Sequence, residues 1–213
     1  MNDRKSDQNK QVESEHYYKN YDTKRRWISY WHQIEEVLEL NPSTVLEIGV
    51  GNKTVSDYLK KHDLDVTTVD IDPELDPDVI CDVRNLSDEF NNNSFDVVLC
   101  AEVLEHVPFE DFEDALKEIK KVAKDSVILT LPNWGVPFEL NLKIPKISRL
   151  DVSLRLPFPV KHEFNGEHYW DIGKKNFSLS AVKNKIEKYF KIKKDYLVPG
   201  NSRHRVFKMV VKE

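Results

Sequence analysis

The feature that most constrains this 213-residue chain is a strand that runs straight into a glycine turn. Thr44 to Gly49 reads Thr-Val-Leu-Glu-Ile-Gly, apolar and β-branched except at Glu47. Val50-Gly51-Asn52 then turns the chain into a helical pattern over 54–62 that carries Val55, Tyr58 and Leu59. A strand with so apolar a middle is buried on both faces, the condition of a parallel sheet covered by helices. Further strands are predicted over 66–70, 79–82, 95–101 and 126–131. The clearest helix is predicted over 111–124, where Phe112, Ala115, Leu116, Ile119, Val122 and Ala123 share one face. Strands alternating with helices in this way predict an open α/β sheet with right-handed crossovers.

The flanks read differently. Residues 1–20 hold few apolar side chains and are expected to form a disordered tail. Over 21–40, Trp27, Ile28, Tyr30, Trp31, Ile34, Val37 and Leu38 recur at helical intervals, which predicts an amphipathic helix with an aromatic-heavy face. Such a face either docks on the core or forms a lid over a ligand. Residues 135–173 break the rhythm with Pro137, Pro145, Pro157 and Pro159 and offer no long periodic segment. An excursion of this kind reads as an inserted functional arm, and its aromatic close, His162 to Trp170, is expected to be ordered. Ser178 is placed to cap a helix carrying Leu179, Val182, Ile186 and Phe190. Strands are then predicted over 192–198 and 205–211, split by Pro199-Gly200-Asn201. The organisation expected is a tail over 1–20 and one domain over 21–213, with a lid helix (21–40) and an arm (135–173).

Composition removes several classes. Net charge is −5, which argues against a general nucleic-acid binder. Two cysteines, Cys81 and Cys100, stand too far apart for a disulfide scaffold or a structural zinc site. No apolar run is long enough for a membrane span. The opening MNDRKSDQNKQ lacks the apolar core of a signal peptide, so a cytoplasmic location is expected.

Only six glycines occur in the chain, and two of them, Gly49 and Gly51, end the first strand. A glycine there lets a ligand approach the main chain that any Cβ would hold away. On an open α/β sheet this is the carboxyl-edge crevice where ligands bind. Asp70 closes the second strand about twenty residues on, where a carboxylate takes both ribose hydroxyls. A dinucleotide site wants a third glycine and a pyrophosphate on a helix N-terminus. Here Thr54 stands at the third-glycine position, and Glu47 would set a carboxylate beside the pyrophosphate, which like-charge repulsion disfavours. The same carboxylate suits a ligand with an ammonium group and no phosphate. S-adenosylmethionine is a ligand of that kind.

The segments VLEIGVGNKTVSDYL, VTTVDIDP, ICDV and FDVVLCAEVLEHV resemble the successive motifs of class I S-adenosylmethionine-dependent methyltransferases, strongly over residues 44–131. The resemblance implies a Rossmann-like three-layer αβα sandwich, its seven-stranded sheet mostly parallel with the last strand antiparallel. It implies that Glu47, Gly49 and Gly51 line the methionine and ribose. Asp70 would take the ribose hydroxyls with Ile71 beside the adenine, while Asp82 and Val83 would flank the adenine amino group. Ala101 and Glu102 would lie next to the methyl donor. Members often place an N-terminal helix over the site, which would recruit Arg26, Trp27 and Tyr30.

The acceptor side rests on Glu102-Val-Leu-Glu105-His106. If Glu102 begins a helical turn, Glu105 and His106 return to its face at i+3 and i+4. Two carboxylates and an imidazole on one face can ligate a divalent cation, with a fourth ligand from His162 or His168. The E-x-x-E-H pattern with a later His is similar to that of the small-RNA 3′-terminal 2′-O-methyltransferases and the ubiquinone-pathway O-methyltransferases. Leu131-Pro-Asn133 fits the same comparison. An L-E-H tripeptide also follows the fourth strand in metal-free members, where it is structural or lines the pocket. His106 and His168 are the candidate catalytic residues, and His168 with Trp170 the candidate acceptor pocket. The arm is expected to close over the acceptor, with His162 or His168 reaching toward His106. Lys143, Lys146, Arg149, Arg155 and Lys161 equal the acids of the arm in number, and they read as a solvated face or as recognition of an anionic acceptor.

These observations favour methyl transfer to oxygen or nitrogen of a small-molecule or glycan acceptor. The alternatives are a metal-assisted RNA 3′-end 2′-O-methyltransferase, against which the acidic balance counts, and a non-catalytic methyltransferase-fold partner subunit, against which the intact glycine turn and Asp70 count. A nicotinamide oxidoreductase lacks its third glycine.

Overall fold

The computed structural model of the chain describes residues 14–19, 21–142, 150–158, 160–164 and 166–212. Five strands form the parallel part of one sheet: β1 (Thr44–Ile48), β2 (Asp65–Asp70), β3 (Val79–Ile80), β4 (Phe95–Ala101) and β5 (Ala123–Pro132). Helices α1 (Lys24–Leu38), α2 (Thr54–Lys60), α3 (Leu86–Glu89) and α4 (Phe112–Val122) precede or connect them. A two-stranded ribbon, β6 (Val136–Leu142) and β7 (Leu150–Leu156), follows β5; helix α5 (Leu179–Ile186) and strands β8 (Phe190–Val198) and β9 (Asn201–Val211) complete the chain. The sheet order is β3-β2-β1-β4-β5-β9-β8, with β9 antiparallel to both neighbours. This is the predicted seven-stranded α/β sheet with its last strand reversed.

Strand residues alternate between two cores because successive side chains point to opposite faces. Val45, Val97 and Leu99 pack with Tyr30 and Val37 of α1 and Val55 and Leu59 of α2. Leu46, Ile48, Val98 and Cys100 pack on the other face, with Leu86, Phe112, Leu116, Val182 and Ile186 of α3, α4 and α5. Three layers result. No helix among the described residues is long and apolar enough to cross a membrane, and both cysteines are free thiols.

Helix α1 departs from its predicted aromatic face. Its buried side is Ser29, Tyr30, Gln33, Glu36 and Val37, whereas Trp27 and Trp31 are more than half exposed. The reason is electrostatic. Glu36 is fully buried and accepts from Lys194 Nζ at 2.5 Å and Tyr196 Oη at 2.8 Å, with Lys208 Nζ at 2.9 Å. Burial alone would raise the Glu36 pKa, and the Lys194, Lys208 and Tyr196 contacts hold it below its ordinary value. This clamp turns α1 so that its acid, not its tryptophans, meets β8 and β9.

The arm also differs from expectation. Val136, Phe138 and Leu140 face Leu156, Leu154 and Val152 across an antiparallel register, a period-2 pattern that the prolines obscured in sequence. Residues 143–149, with Lys143, Pro145, Lys146 and Arg149, and Pro159 lie outside the described residues, as do residues 1–13 and 20 of the expected tail. Residues 14–17, by contrast, form a 3-10 turn. Trp170 is not a pocket residue. It is fully buried, packs edge-on against Phe109 and Phe112 with ring centroids 5.1 and 4.9 Å away, and donates from Nε1 to Val107 O at 3.0 Å. The end of the arm is thereby fastened into the core.

Trp170→Ala should destabilise the fold by about 3–5 kcal/mol, the cost of emptying a large aromatic site, and Trp170→Phe by less. Urea unfolding followed by circular dichroism measures both; an unchanged midpoint for the alanine variant would contradict the anchoring role.

Candidate functional site

A cavity of about 550 Å³ opens at the carboxyl ends of β1, β2, β4 and β5, roofed by α1 and by the arm residues 167–169. This is where open α/β sheets bind ligands. One half is built by β1 and β2. Gly49 has a φ of +82°, and a Cβ there would stand 2.2 Å from Val103 Cγ2, so the site admits only glycine. Gly51, at φ +50°, leaves the main chain open under the Tyr17 ring. Asp70 accepts from Val50 N and Asp72 N, both at 2.9 Å, and so holds the glycine turn while lining the cavity. Burial raises its pKa, opposed by these backbone bonds.

Glu47 is the deepest acid of this half. It is buried, one carboxylate oxygen has no hydrogen-bond partner among the described residues, and burial pushes its pKa up to about 8 despite hydrogen bonds from Ser56. A lone buried carboxylate oxygen facing a cavity is costly unless a cation or donor meets it. Ile71, Asp82 and Val83 also line this half. The Asp82 carboxylate is held by the Arg84 guanidinium at 2.6 and 2.9 Å, and Arg84 reaches on to Asp111 at 2.9 Å. This half of the cavity is thus lined by two buried or part-buried acids, Glu47 and Asp70, and by the apolar Ile71 and Val83.

The other half follows β4. Ala101 ends the strand, and Glu102 adopts a left-handed φ of +55°, a conformation that costs a non-glycine residue about 1–3 kcal/mol and concentrates at functional sites. The expected helical turn starting at Glu102 is not formed. Only Leu104 to His106 make a 3-10 turn, which sets Glu102 apart from Glu105 and His106. Glu102 turns to His204, 3.4 Å away, while Glu105 is fully buried and His106 goes to the arm. There His106 Nδ1 meets Glu167 O at 3.0 Å, and its ring stands edge-on to His168 with centroids 4.9 Å apart. His168 Nδ1 lies 2.8 Å from Asp171 Oδ1. Burial, followed by the neighbouring His168, lowers the His106 pKa. Glu105, His106 and His168 each place a ligand atom within 4.8 Å of the others, whereas Glu102 falls outside that group. His162 stands aside as well: its Nε2 donates to the main-chain carbonyl of His168 at 2.8 Å, which braces the arm.

Arg26 lines the cavity and lies over the Tyr21 ring, 3.9 Å from its centroid. Several lining residues escaped the sequence reading. His16 and Tyr17 were assigned to the tail, although the aromatic cluster His16-Tyr17-Tyr18 was itself a signal of order. Asn201, Arg203 and His204 carried no motif, because only the pairing of β5 with β9 brings them to the rim.

Residues 46–131 match the family described as "Methyltransferase domain". No curated protein matches the chain in sequence. In fold, the chain is similar to the 1,6-didemethyltoxoflavin-N1-methyltransferase of Burkholderia thailandensis, solved with 1,6-didemethyltoxoflavin and S-adenosylhomocysteine. The TM-score is 0.61 at 14% identity, over 93% of this chain and 85% of that one. The N-methyltransferase NodS of Bradyrhizobium japonicum WM9, solved with S-adenosylhomocysteine, gives 0.61 at 12% identity over 90% of each chain. Magnesium protoporphyrin IX methyltransferase (ChlM) of Synechocystis PCC 6803, with bound S-adenosylmethionine, gives 0.56 at 13% over 88% of this chain and 79% of that one. The sequence match from β1 to β5 is to a methyltransferase domain, and the sheet as a whole has the fold of these S-adenosylmethionine-dependent methyltransferases.

Proposed function

We propose that the chain moves a methyl group from S-adenosylmethionine to a protonated oxygen or nitrogen of a small-molecule or saccharide-like acceptor that enters beneath the arm. The observation that carries this reading is the line Asp171–His168–His106 at the acceptor end of the cavity. S-adenosylmethionine, when bound, supplies a methyl group on a positively charged sulfur. Glu47 is suited to its ammonium group, Asp70 to its ribose hydroxyls, and Ile71, Asp82 and Val83 to its adenine. Ala101 and Glu102 flank the transfer point.

The remaining work is alignment and one proton. With Nδ1–H donated to Asp171, the His168 tautomer carries its lone pair on Nε2, the arrangement of a carboxylate-oriented general base. His106, oriented in the same way by the Glu167 carbonyl, stands beside it. As the acceptor attacks, its proton passes to this imidazole pair. Arm residues 167–169 shield the reaction from water, and Trp170 keeps them in place. The N-methyltransferases among the structural neighbours, one of them solved with 1,6-didemethyltoxoflavin, support a nitrogen acceptor on a small molecule.

A second reading is favoured by Glu105 alone. Both its oxygens are buried without a hydrogen-bond partner among the described residues, and burial, then the charge of Glu102, raises its pKa well above the ordinary value. Such a carboxylate is either a neutral acid or a ligand. With His106 and His168 oriented through Nδ1, a divalent cation is the alternative occupant. Manganese titration of the wild type and of Glu105→Gln decides between them: saturable binding lost in the variant establishes the metal reading.

Asp70→Ala should weaken S-adenosylhomocysteine binding by one to two powers of ten, since each lost charge-assisted bond is worth about 1.5–3 kcal/mol. Isothermal titration measures it, and an unchanged affinity in a folded variant removes the cofactor assignment. Glu47 generates a pH effect of definite sign. Its carboxyl is protonated below about 8 in the free protein, and an ammonium partner favours the ionised form. Binding should therefore release a proton and tighten as pH rises from the ordinary glutamate range toward 8, then level off. Titrations in buffers of different ionisation enthalpy read that proton, and Glu47→Gln should abolish it. His168→Ala should lower turnover about 10²–10⁴-fold, the usual share of a general base, with S-adenosylhomocysteine affinity nearly unchanged. Equal losses in both would make His168 a cofactor residue instead.

A further inference from the structure

The first three residues of β9 gather three arginines at the rim of the acceptor half. Asn201 Nδ2 donates to Arg25 O at 3.3 Å and to Ser29 Oγ at 2.8 Å, which seats the start of α1 against the strand. Arg155 of the ribbon donates to Ser202 O and Gly135 O, both at 2.7 Å, so its guanidinium is held by neutral carbonyls. Arg203 comes next, fastened by Asn133 N donating to its carbonyl at 2.7 Å. Arg25 and Arg203 line the cavity and are exposed.

Elsewhere several cations near the sheet are neutralised. Lys53 meets Asp76, Arg84 meets Asp82 and Asp111, Lys194 and Lys208 meet Glu36, and Arg205 meets Asp195. Neither Arg25 nor Arg203 has a salt-bridge partner among the described residues. In a chain of net charge −5, two unpaired guanidinium groups and a third held only by carbonyls mark one place where positive charge collects. Their mutual repulsion is felt: burial, then Arg203 and Arg25, lower the Arg155 pKa, with Glu139 opposing. Glu47, Asp70, Asp72 and Asp82 lie on the other side of the cavity, and of the acids lining the acceptor half, Glu102 faces His204 while Glu105 is fully buried. Asp171, the acid that does feel Arg203, is committed to His168.

We propose that Arg203, supported by Arg25 and Arg155, forms a subsite for an anionic group of the methyl acceptor, a carboxylate or a phosphate. The proposal rests on the reading that the acceptor enters beneath the arm. A guanidinium fork presents two parallel donors to either anion. An anion anchored at the rim fixes the acceptor's approach to His168 and is drawn in by the local positive field.

The test uses the full chain and no acceptor. Inorganic phosphate and acetate are titrated separately, at constant ionic strength, into the free protein and into protein saturated with S-adenosylhomocysteine. Phosphate, acetate or both should bind saturably in each state, and which of them binds more tightly assigns the anion. Arg203→Ala should weaken that binding at least about tenfold, and Arg203→Lys by less, because a lysine keeps the charge without the fork. Arg25→Ala should weaken it too. Affinity for S-adenosylhomocysteine should be unchanged in all three variants. Non-saturating titrations, or an Arg203→Ala chain that binds like wild type, overturn the proposal. So does a parallel loss of S-adenosylhomocysteine affinity, which would assign the arginine to the cofactor's own carboxylate. A wild-type chain that binds phosphate but not S-adenosylhomocysteine would instead defeat the cofactor reading.

Discussion

Val103 occupies the space that a side chain on Gly49 would fill, and the rest of the site depends on that contact. The carboxyl ends of β1 and β4 are parallel neighbours in the sheet. With no Cβ on Gly49, the chain leaving β4 folds across the end of β1 instead of turning away from it. That close crossing goes together with the left-handed backbone at Glu102, and it delivers Glu105 into the core and His106 to the arm. The glycine therefore does two jobs. It gives a ligand access to the main chain, and it lets two strands share one crevice.

Charge is sorted along this crevice. The carboxylates of Glu47 and Asp70 lie at the ends of β1 and β2, and Asp82 is locked by Arg84 into a structural clamp. At the opposite rim the guanidinium groups of Arg25, Arg155 and Arg203 make no salt bridge among the described residues. The imidazoles of His106 and His168 lie between the two.

The mobile parts of such enzymes are usually their loops, yet the end of this arm is tied down. Trp170 sits among Phe109, Phe112 and Phe177, and Asp171 and His168 are its near neighbours in the chain. Burying one large side chain thus places the polar pair two residues to one side and one to the other. On α1, buried Glu36 has the equivalent role, drawing Lys194, Lys208 and Tyr196 together and fixing which face of the helix covers the cavity.

The sequence by itself determined the sheet and which residues close its first two strands at the cavity. Strand and helix periodicity is local, so 95–101 could be read directly as β4, and Ser178 as the cap of α5, whose side chain accepts from Ala181 N. Glu47, Gly49, Gly51 and Asp70 lie at the ends of consecutive elements, where position along the chain and position in the sheet are the same thing. Only the tertiary structure decided the acceptor half. The pairing of His168 with His106 spans a long separation along the chain and passes through a ribbon whose alternation was hidden by prolines. Glu102 parted from Glu105 because a left-handed residue changes the direction of everything after it. Arg203 and His204 reached the rim through the antiparallel register of β9 on β5, which no local pattern announces, since a strand's partner is chosen by packing over the whole sheet.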